Sequence, residues 1–211
     1  MLVDDHPLVR EWFTNLINEE PDLKVCGVAG SKREALGLIG KCSPQLLVVD
    51  ISMEGGSGLE LIKDIKPLHP EVLVIVLSMH DEQLYAERAM RAGAAGYLMK
   101  SEATHKVIAA IRTVLAGGVS FGNTVHARLA QKMARGNAQA PDATALLSDR
   151  ELEIYLLLGR GFNTRQVSEE LSIGFKTVHV YCARIRDKLH LNSINQLVLH
   201  AVRRHERQQP E

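Results

Sequence analysis

The sequence predicts an α/β, doubly wound domain with a five-stranded parallel sheet, followed by a second, all-α domain of four helices. Three observations indicate this. Short apolar runs alternate with helix-length segments as far as about residue 116, residues 117–147 lose that rhythm, and from Ser148 apolar residues recur only at helical spacing. A chain of 211 residues is long enough to bury two such cores.

Five apolar runs in the first part predict the strands. Runs that are nearly continuous in Val, Ile and Leu are typical of a parallel sheet with helices on both faces. Five strand–helix units in this length fit the flavodoxin-like form of the doubly wound fold. The predicted strands cover residues 2–3, 24–29, 46–49, 72–77 and 94–98.

Capping boxes indicate where several helices begin, because a Ser followed three residues later by Glu or Gln can satisfy two backbone N–H groups. Pro7 also suits the first turn of the opening helix. The predicted boxes are Ser31 with Glu34, Ser57 with Glu60, Ser148 with Glu151 and Ser193 with Gln196. The helices of the second domain are predicted at about 149–159, 164–171, 175–190 and 193–205.

The sequence between the two domains has linker composition. "GGVSFGN" ends the fifth helix, a short helical stretch is predicted over 124–135, and "GNAQAPDAT" is typical of a linker. The predicted organisation is a first domain at 1–116, a linker with a short helix at 117–144 and a second domain at 145–211.

Composition and charge favour a cytoplasmic protein that is not inserted in a membrane. The apolar run "VLVIVL" is too short to span a bilayer, and acids stand near the N-terminus where a signal peptide would carry cations. Three scattered cysteines without a CxxC pair indicate reduced thiols rather than a disulfide framework or a zinc site. Residues 1–120 hold 12 Lys and Arg against 16 Asp and Glu, a net charge of −4, whereas residues 121–211 hold 13 against 9, a net charge of +4. This asymmetry favours a second domain that meets a polyanion.

Acidic and polar residues follow the predicted strands. Because the functional groups of a doubly wound sheet gather at the carboxyl ends of its strands, these residues are expected to converge. They are Asp4 and Asp5 after the first strand, Asp50 after the third, Ser78 after the fourth, and Tyr97 and Lys100 at the end of the fifth.

Converging carboxylates of this kind predict phosphoryl chemistry. Three close carboxylates are costly to ionise without a cation, and Mg²⁺ takes oxygen ligands while leaving positions open for phosphate. Asp50 then suits a nucleophile that accepts a phosphoryl group as an acyl phosphate, with Lys100 neutralising its oxygens and Ser78 donating a hydrogen bond. The alternative for each residue taken alone is a turn residue, a helix cap or a solvated surface group. Their joint placement at four strand ends favours the site.

The segments "VDDHPLVR", "LLVVDISM", "VIVLSMHD" and "GAAGYLMK" resemble the receiver domain of bacterial two-component response regulators, over residues 1 to about 116. The resemblance implies that Asp50 is the phosphoacceptor. It implies that Asp5 and Asp50 ligate Mg²⁺ directly and that Asp4 does so through water. The carbonyl of Ser52 would complete the protein ligands.

The same resemblance implies a switch pair of Ser78 and Tyr97, in which the hydroxyl moves toward the phosphoryl group and the ring turns inward. Lys100 matches the lysine of the family. Two departures are visible. Glu54 stands where the family usually has Pro, and only residues 1–3 precede the acid pair.

The stretch 175–190 predicts a helix with one inward and one outward face. Val178, Cys182, Ile185 and Leu189 recur at i, i+4, i+7 and i+11, which is the spacing of a buried stripe. With the preceding helix and the tight "SIG" turn, it predicts a helix-turn-helix whose second helix enters the major groove of DNA. The outward residues expected to contact DNA are Lys176, Thr177, His179, Val180, Ala183 and Arg184.

The chemistry of these outward side chains suits DNA. Lys176, Thr177 and Arg184 are expected to reach phosphates. Val180 is expected to contact a thymine methyl group, and His179 to donate a hydrogen bond to a purine edge. An ordinary solvated helix face is the alternative for any one of these residues.

The segments "VSEELSI" and "KTVHVYCARIRDKL" resemble the LuxR-type four-helix DNA-binding domain, over roughly residues 145–208. That family usually has a basic residue at 179 and His at 181, where this chain has His179 and Tyr181. The last helix carries Leu197, Val198 and Ala201 in step, which predicts either a dimer face or a helix that closes the core.

These resemblances identify the chain as a member of the NarL/LuxR-like response regulators. They imply a sensor histidine kinase that phosphorylates Asp50, a homodimer on activation, and binding of that dimer to paired half-sites on double-stranded DNA. They imply no enzymatic activity other than the receiver's own phosphoryl transfer and slow dephosphorylation. Two alternatives stay open. One is a regulator whose receiver is not phosphorylated; the other is a Mg²⁺-dependent aspartyl-phosphate hydrolase, which usually has an acid where this chain has Ser52.

Overall fold

The computed structural model describes residues 1–53, 56–79, 82–102, 104–122, 125, 127 and 143–208. The chain divides into two compact units, residues 1–138 and 139–211. Most of the predicted linker at 117–144, including all but residues 125 and 127 of its predicted helix at 124–135, lies outside the described residues, as does Glu54.

The first unit contains a five-stranded parallel sheet, which confirms the predicted flavodoxin-like fold. Its strands are β1 (Leu2–Val3), β2 (Val28–Ala29), β3 (Leu46–Val49), β6 (Leu73–Ser78) and β7 (Gly96–Met99). They lie in the order β2-β1-β3-β6-β7, so the chain reverses direction of winding beside β1. Two further short strands, β4 (Ser52–Met53) and β5 (Gly56–Ser57), form a separate antiparallel pair.

The second strand is shorter than predicted. Residues 24–27 were expected to extend it, but the strand comprises only Val28 and Ala29. Its neighbour β1 pairs Leu2 with Val28 and Val3 with Ala29, and the Leu2 N–H also donates to the Gly27 carbonyl. Regular pairing with β1 therefore covers only two residues of the predicted run.

Among the described residues five helices cover this sheet, and apolar residues from both faces form its core. They are α1 (Pro7–Asn18), α2 (Lys32–Cys42), α3 (Gly58–Ile65), α4 (Glu82–Ala92) and α5 (Thr104–Leu115). Pro7 occupies the first turn of α1, as predicted. On one face, Phe13 and Ile17 of α1 join Val48 of β3 and Ile111 of α5 in a single buried cluster.

The second unit contains four α-helices among its described residues, which confirms the all-α prediction. A short 3₁₀ turn at Ala143–Leu146 precedes α6 (Asp149–Gly159), α7 (Thr164–Glu170), α8 (Phe175–Leu189) and α9 (Ile194–Gln208). Helix α6 is buried along nearly its whole length. A Cβ at Gly159 would lie 2.8 Å from the Ala201 carbonyl oxygen, so glycine permits α6 and α9 to approach closely.

Of the four predicted capping boxes, only the one between Ser148 and Glu151 is complete. At Ser31 and Ser193 the hydroxyl caps the helix, but the side chain three residues later accepts from the residue before the cap. Ser57 accepts from Leu59 N instead of from residue 60. A second complete box, at Asn163 and Gln166, was missed because Asn rather than Ser or Thr begins it.

Within the described residues, no helix combines the length and the apolar character needed to cross a membrane.

Candidate functional site

The ends of three sheet strands meet at one buried ammonium group. Lys100 Nζ lies 2.6 Å from Asp4 Oδ2 and 2.7 Å from Asp50 Oδ2. The three side chains are only 5–9% exposed. Asp4 follows β1, Asp50 follows β3 and Lys100 follows β7, so the sheet order brings together residues that are up to 96 positions apart in the sequence. The convergence predicted from strand ends is therefore present for these residues.

Asp5 and His6 complete the acidic cluster at its open side. The His6 Nδ1 atom lies 2.8 Å from Asp5 Oδ1 and 3.2 Å from Asp4 Oδ1, and the His6 side chain is 66% exposed. Asp4, Asp5, His6 and Asp50 each offer one ligand atom, and these four atoms all lie within 4.8 Å of one another. His6 was not predicted as part of the site, although its place directly after the acid pair was a signal for it.

Burial and neighbouring charges shift the pKa of the Asp50 carboxyl. Burial raises the pKa of Asp50 to about 7, and the neighbouring charges of Asp4 and Asp5 add to the rise, while Lys100 opposes it. Burial would lower the pKa of the Lys100 ammonium, but Asp50 and Asp4 together reverse that effect and raise it. One ammonium is thus insufficient for three carboxylates, and a divalent cation would restore the balance.

Gly58 explains why a glycine-rich loop follows Asp50. The Gly58 N–H donates to the Ile51 carbonyl at 2.7 Å, which closes the loop. A Cβ at this position would lie 1.9 Å from the Asp50 carbonyl oxygen, a distance that no side chain tolerates. Only glycine lets α3 begin directly against the backbone of the acceptor.

The remaining predicted receiver residues lie on the strands β6, β7 and β4. Ser78 is fully buried at the end of β6, and its carbonyl accepts from the Lys100 N–H at 2.8 Å. Tyr97 is buried in β7, where its N–H donates to the Ser120 carbonyl. Ser52 is partly buried at the start of β4. The structure thereby ties the backbone of Ser78 to that of Lys100.

In the second unit, α8 has the two faces predicted from its periodicity. Val178, Cys182 and Ile185 are buried, and Leu189 is partly buried at the helix end. Five of the six residues predicted to contact DNA are exposed and Ala183 is partly exposed; the exposed five are Lys176, Thr177, His179, Val180 and Arg184. The Arg184 guanidinium lies 5.7 Å from the centre of the Tyr181 ring.

A tight turn joins α7 to α8. Ser172 has a positive φ of 48°, and the Ser168 hydroxyl donates to the Ile173 carbonyl at 2.6 Å. Val167 and Leu171 of the first helix are buried and support the inner face of α8. This arrangement has the form of a helix-turn-helix whose second helix presents an exposed, basic face.

Family models match both units. Residues 1–112 match the response regulator receiver domain, and residues 145–201 match the LuxR family of bacterial regulatory proteins. The chain belongs to the LuxR-type two-component response regulators. The family and fold class predicted from the sequence are confirmed.

Known response regulators resemble this one along most of their length. The oxygen regulatory protein NreC of Staphylococcus carnosus is 31% identical over 209 residues, which cover 97% of this chain and 96% of NreC. A LuxR-family response regulator from Aurantimonas sp. SI85-9A1 has a TM-score of 0.58 and 31% identity, over 64% of this chain and 96% of its own. RcsB from Salmonella enterica serovar Typhimurium, solved bound to the promoter P1flhDC, has a TM-score of 0.57 and covers 95% of this chain and 97% of its own; at 24% identity it shows the fold alone.

A buried ion pair holds the helix-turn-helix of this response regulator. Arg150 Nη1 lies 2.7 Å from Glu153 Oε2, and Arg150 Nη2 donates to the Leu171 carbonyl at 2.9 Å. The contact fastens α6 to the end of α7, directly before the turn. Sequence reasoning missed it because charged residues in a helix ordinarily indicate a solvated face.

The last helix of this regulator contributes to the core of its unit. Leu197 is 0% and Ala201 1% exposed, and Val198 is partly buried. The Tyr155 hydroxyl lies 2.7 Å from His200 Nδ1, which joins α6 to α9. Of the two interpretations given to this helix, Leu197 and Ala201 fit the one in which it closes the core.

Proposed function

We propose that this response regulator accepts a phosphoryl group on Asp50 from a sensor histidine kinase and thereby controls DNA binding by its second unit. The observation that carries the proposal is the buried contact of Lys100 Nζ with both Asp4 and Asp50. It gathers a nucleophilic carboxylate, an acidic partner and a fixed positive charge at one point.

The transfer moves one phosphoryl group between two proteins. A carboxylate oxygen of Asp50 attacks phosphorus, the bond from phosphorus to the kinase histidine nitrogen breaks, and an acyl phosphate forms on Asp50. Lys100 is placed to pair with an oxygen of the arriving group, since its Nζ already lies 2.7 Å from the acceptor. The hydroxyl of Ser78, at the end of the adjacent strand, would donate to another.

The donor set fits Mg²⁺. It consists of hard carboxylate oxygens in excess of the local positive charge, as the raised pKa of Asp50 indicates. We assign Asp5 and Asp50 as direct ligands, Asp4 as a ligand through water, and the Ser52 carbonyl as the last protein ligand. When bound, the ion supplies positive charge that stabilises the carboxylates and the phosphoryl oxygens.

The signal would pass through Ser78 and Tyr97. The Lys100 N–H donates to the Ser78 carbonyl, so a movement of the Lys100 backbone toward a phosphoryl group would also displace the end of β6. Tyr97 is 2% exposed, which is compatible with a ring that turns inward. Phosphorylation would select this arrangement from a preexisting equilibrium and favour a homodimer.

The second unit would bind paired half-sites in the major groove of double-stranded DNA. Lys176, Thr177 and Arg184 would contact phosphates and set the register. The residues assigned to base edges are His179, Val180 and Ala183. A partner of this kind places the protein in the cytoplasm, and the three free cysteines agree with a reducing compartment.

The proposed organisation keeps a receiver at 1–116, a linker at 117–144 and a DNA-binding domain at 145–211. The protein would be no enzyme in the ordinary sense, since the receiver promotes only its own phosphorylation and slow dephosphorylation. A hydrolase would need a general acid near Asp50, and the place where such enzymes usually carry one holds Ser52.

Intact mass measured after incubation with Mg²⁺ and a small phosphodonor tests the proposal. The wild-type chain should gain one phosphoryl group, Asp50→Ala should gain none, and Asp64→Ala, which removes an exposed carboxylate of α3, should behave as wild type. Label on a residue other than Asp50 would overturn the acceptor assignment. An unmodified wild-type chain that still binds DNA would favour the phosphorylation-independent regulator, and continuous release of inorganic phosphate would favour the hydrolase.

A further inference from the structure

Phe175 is exposed at the start of α8. Its side chain is 49% exposed, whereas Val178 and Ile185 of the same helix are fully buried. It follows the N-cap residue Gly174, so it stands in the first helical turn. In a helix-turn-helix, the first turns of the second helix are the ones that approach base edges.

The Phe175 ring packs against the ring of His179, one turn further along. The ring centroids are 4.5 Å apart and the planes make an angle of 73°, which is a favourable edge-to-face contact. Such a contact restricts the rotation of an exposed imidazole on the helix surface. Because phenylalanine has no hydrogen-bonding atom, it restrains His179 without occupying either ring nitrogen.

A restrained donor discriminates between bases better than a mobile one. A free side chain loses rotational entropy when it forms a hydrogen bond with a base, and a side chain already held in place loses less. A neutral imidazole carries one N–H donor, and N7 of guanine or adenine is an acceptor in the major groove.

We propose that Phe175 is a positioning residue that holds the His179 imidazole for a hydrogen bond to a purine N7, and so sets a purine preference at one position of each half-site. The inference rests on the proposed DNA binding by α8. It makes Phe175, a residue that itself offers no hydrogen bond, a determinant of sequence preference.

Tyr181 provides an internal contrast on the same helix. Its ring lies 5.7 Å from the Arg184 guanidinium, so it restrains a side chain that is assigned to a phosphate. Loss of Tyr181 should weaken binding to all sequences alike. Loss of Phe175 should instead weaken binding only where the purine is read.

The experiment uses the full-length chain with Mg²⁺ and a phosphodonor. Its half-site is first selected from random duplexes, and affinities are then measured on duplexes in which each purine in turn is replaced by its 7-deaza analogue. Wild type should lose roughly 5- to 10-fold in affinity at one position of each half-site, the usual range for one base contact. Phe175→Ala and His179→Ala should both lose that penalty, and the double variant should resemble either single variant.

Two further variants separate positioning from a merely structural role. Phe175→Tyr keeps the ring and should restore the penalty, and Tyr181→Ala should keep it while binding all duplexes more weakly. Phe175→Ala should match wild type in thermal unfolding and in affinity for random DNA at low salt.

Retention of the full penalty by Phe175→Ala, or by His179→Ala, overturns the inference while leaving DNA binding in place. The same holds if no purine position shows a penalty in wild type. Absence of DNA binding by wild type itself, at low salt as well, overturns the proposed function and the inference with it.

Discussion

The acidic cluster of the first unit and the predicted DNA-binding face of α8 in the second place their charged side chains in opposite ways. In the first unit, Lys100 Nζ lies within 2.7 Å of a carboxylate oxygen of both Asp4 and Asp50, and all three side chains are nearly buried. On α8 the basic residues Lys176 and Arg184 are exposed. The buried site holds a fixed excess of negative charge, which favours a cation as its ligand. The exposed side chains of α8 would gain their hydrogen-bond and ionic partners only from bound DNA. Four measurements test how far this difference extends.

The largest effect should come from breaking the buried pair in the second unit. Arg150→Ala removes the cation that is paired with the buried Glu153 and the donor to the Leu171 carbonyl, and it should lower the free energy of unfolding by about 4 kcal/mol. Calorimetry of the full chain should show the loss. Arg165→Ala removes the exposed partner of Glu169 and should change stability by less than about 0.5 kcal/mol. Equal effects of the two changes would contradict the distinction between buried and exposed charge.

The next effect should come from the close contact behind the acceptor. In Gly58→Ala, the new methyl group must displace the Asp50 carbonyl, which should cost about 3 kcal/mol of stability. Urea unfolding followed by Trp12 fluorescence reports this, since the single tryptophan lies in α1 of the first unit. Gly37→Ala meets nothing within 4 Å inside α2 and should stabilise the protein by roughly 0.5–1 kcal/mol. If Gly58→Ala left the free energy of unfolding unchanged, the close contact with the Asp50 carbonyl would not explain why glycine stands at this position.

A smaller effect should appear as a pH dependence of the first unit without metal. The folded-state pKa of Asp50, about 7, lies above its ordinary value of 3.8, so the folded state holds this proton more tightly than the unfolded chain does. The stability that this group contributes is therefore fully present below about pH 4 and is lost as the pH rises through 7.

The same Trp12 unfolding measured from pH 4 to 8 checks this. Asp50→Asn should flatten that part of the profile, and Mg²⁺ should stabilise wild type more at pH 8 than at pH 5. A profile for Asp50→Asn that matches wild type would assign the pH dependence to other groups.

The smallest effect should come from single phosphate contacts on α8. Lys176→Ala should weaken DNA binding about fivefold, to a similar extent on every sequence, and should reduce the slope of log affinity against log salt by about 1. Arg203→Ala, an exposed cation on α9 outside the predicted contact set, is the matched control and should change neither quantity. An unchanged slope in Lys176→Ala would move the DNA interface away from this face.

The convergence of Asp4, Asp50 and Lys100 could be predicted from the sequence because it follows from the geometry of a parallel sheet. Once the strands at 2–3, 46–49 and 94–98 are recognised, the residues after them must share one edge, whatever their separation in the sequence. The length of β2 could not be predicted in this way, since it depends on how many of its residues pair regularly with β1. The buried Arg150–Glu153 pair was equally hidden, because periodicity identifies apolar faces and assigns charged residues to solvent.

The helical unit shows a different limit of sequence reasoning. The inner stripe of Val178, Cys182 and Ile185 was correctly predicted from spacing, and the outer face followed from it. Which base each outer residue reads depends on rotamers and on DNA, and neither is encoded in the spacing. The ring contact between Phe175 and His179 became visible only in three dimensions, although the two positions are one turn apart.

The hydrogen bond from Gly58 to Ile51 gives the loop after the acceptor a property of its own. It closes the segment at its base, and inside it Ser52 pairs with Ser57 and Met53 with Gly56 as a miniature hairpin. Since Gly58 also begins α3, the backbone beside Asp50 is held directly to the first turn of that helix.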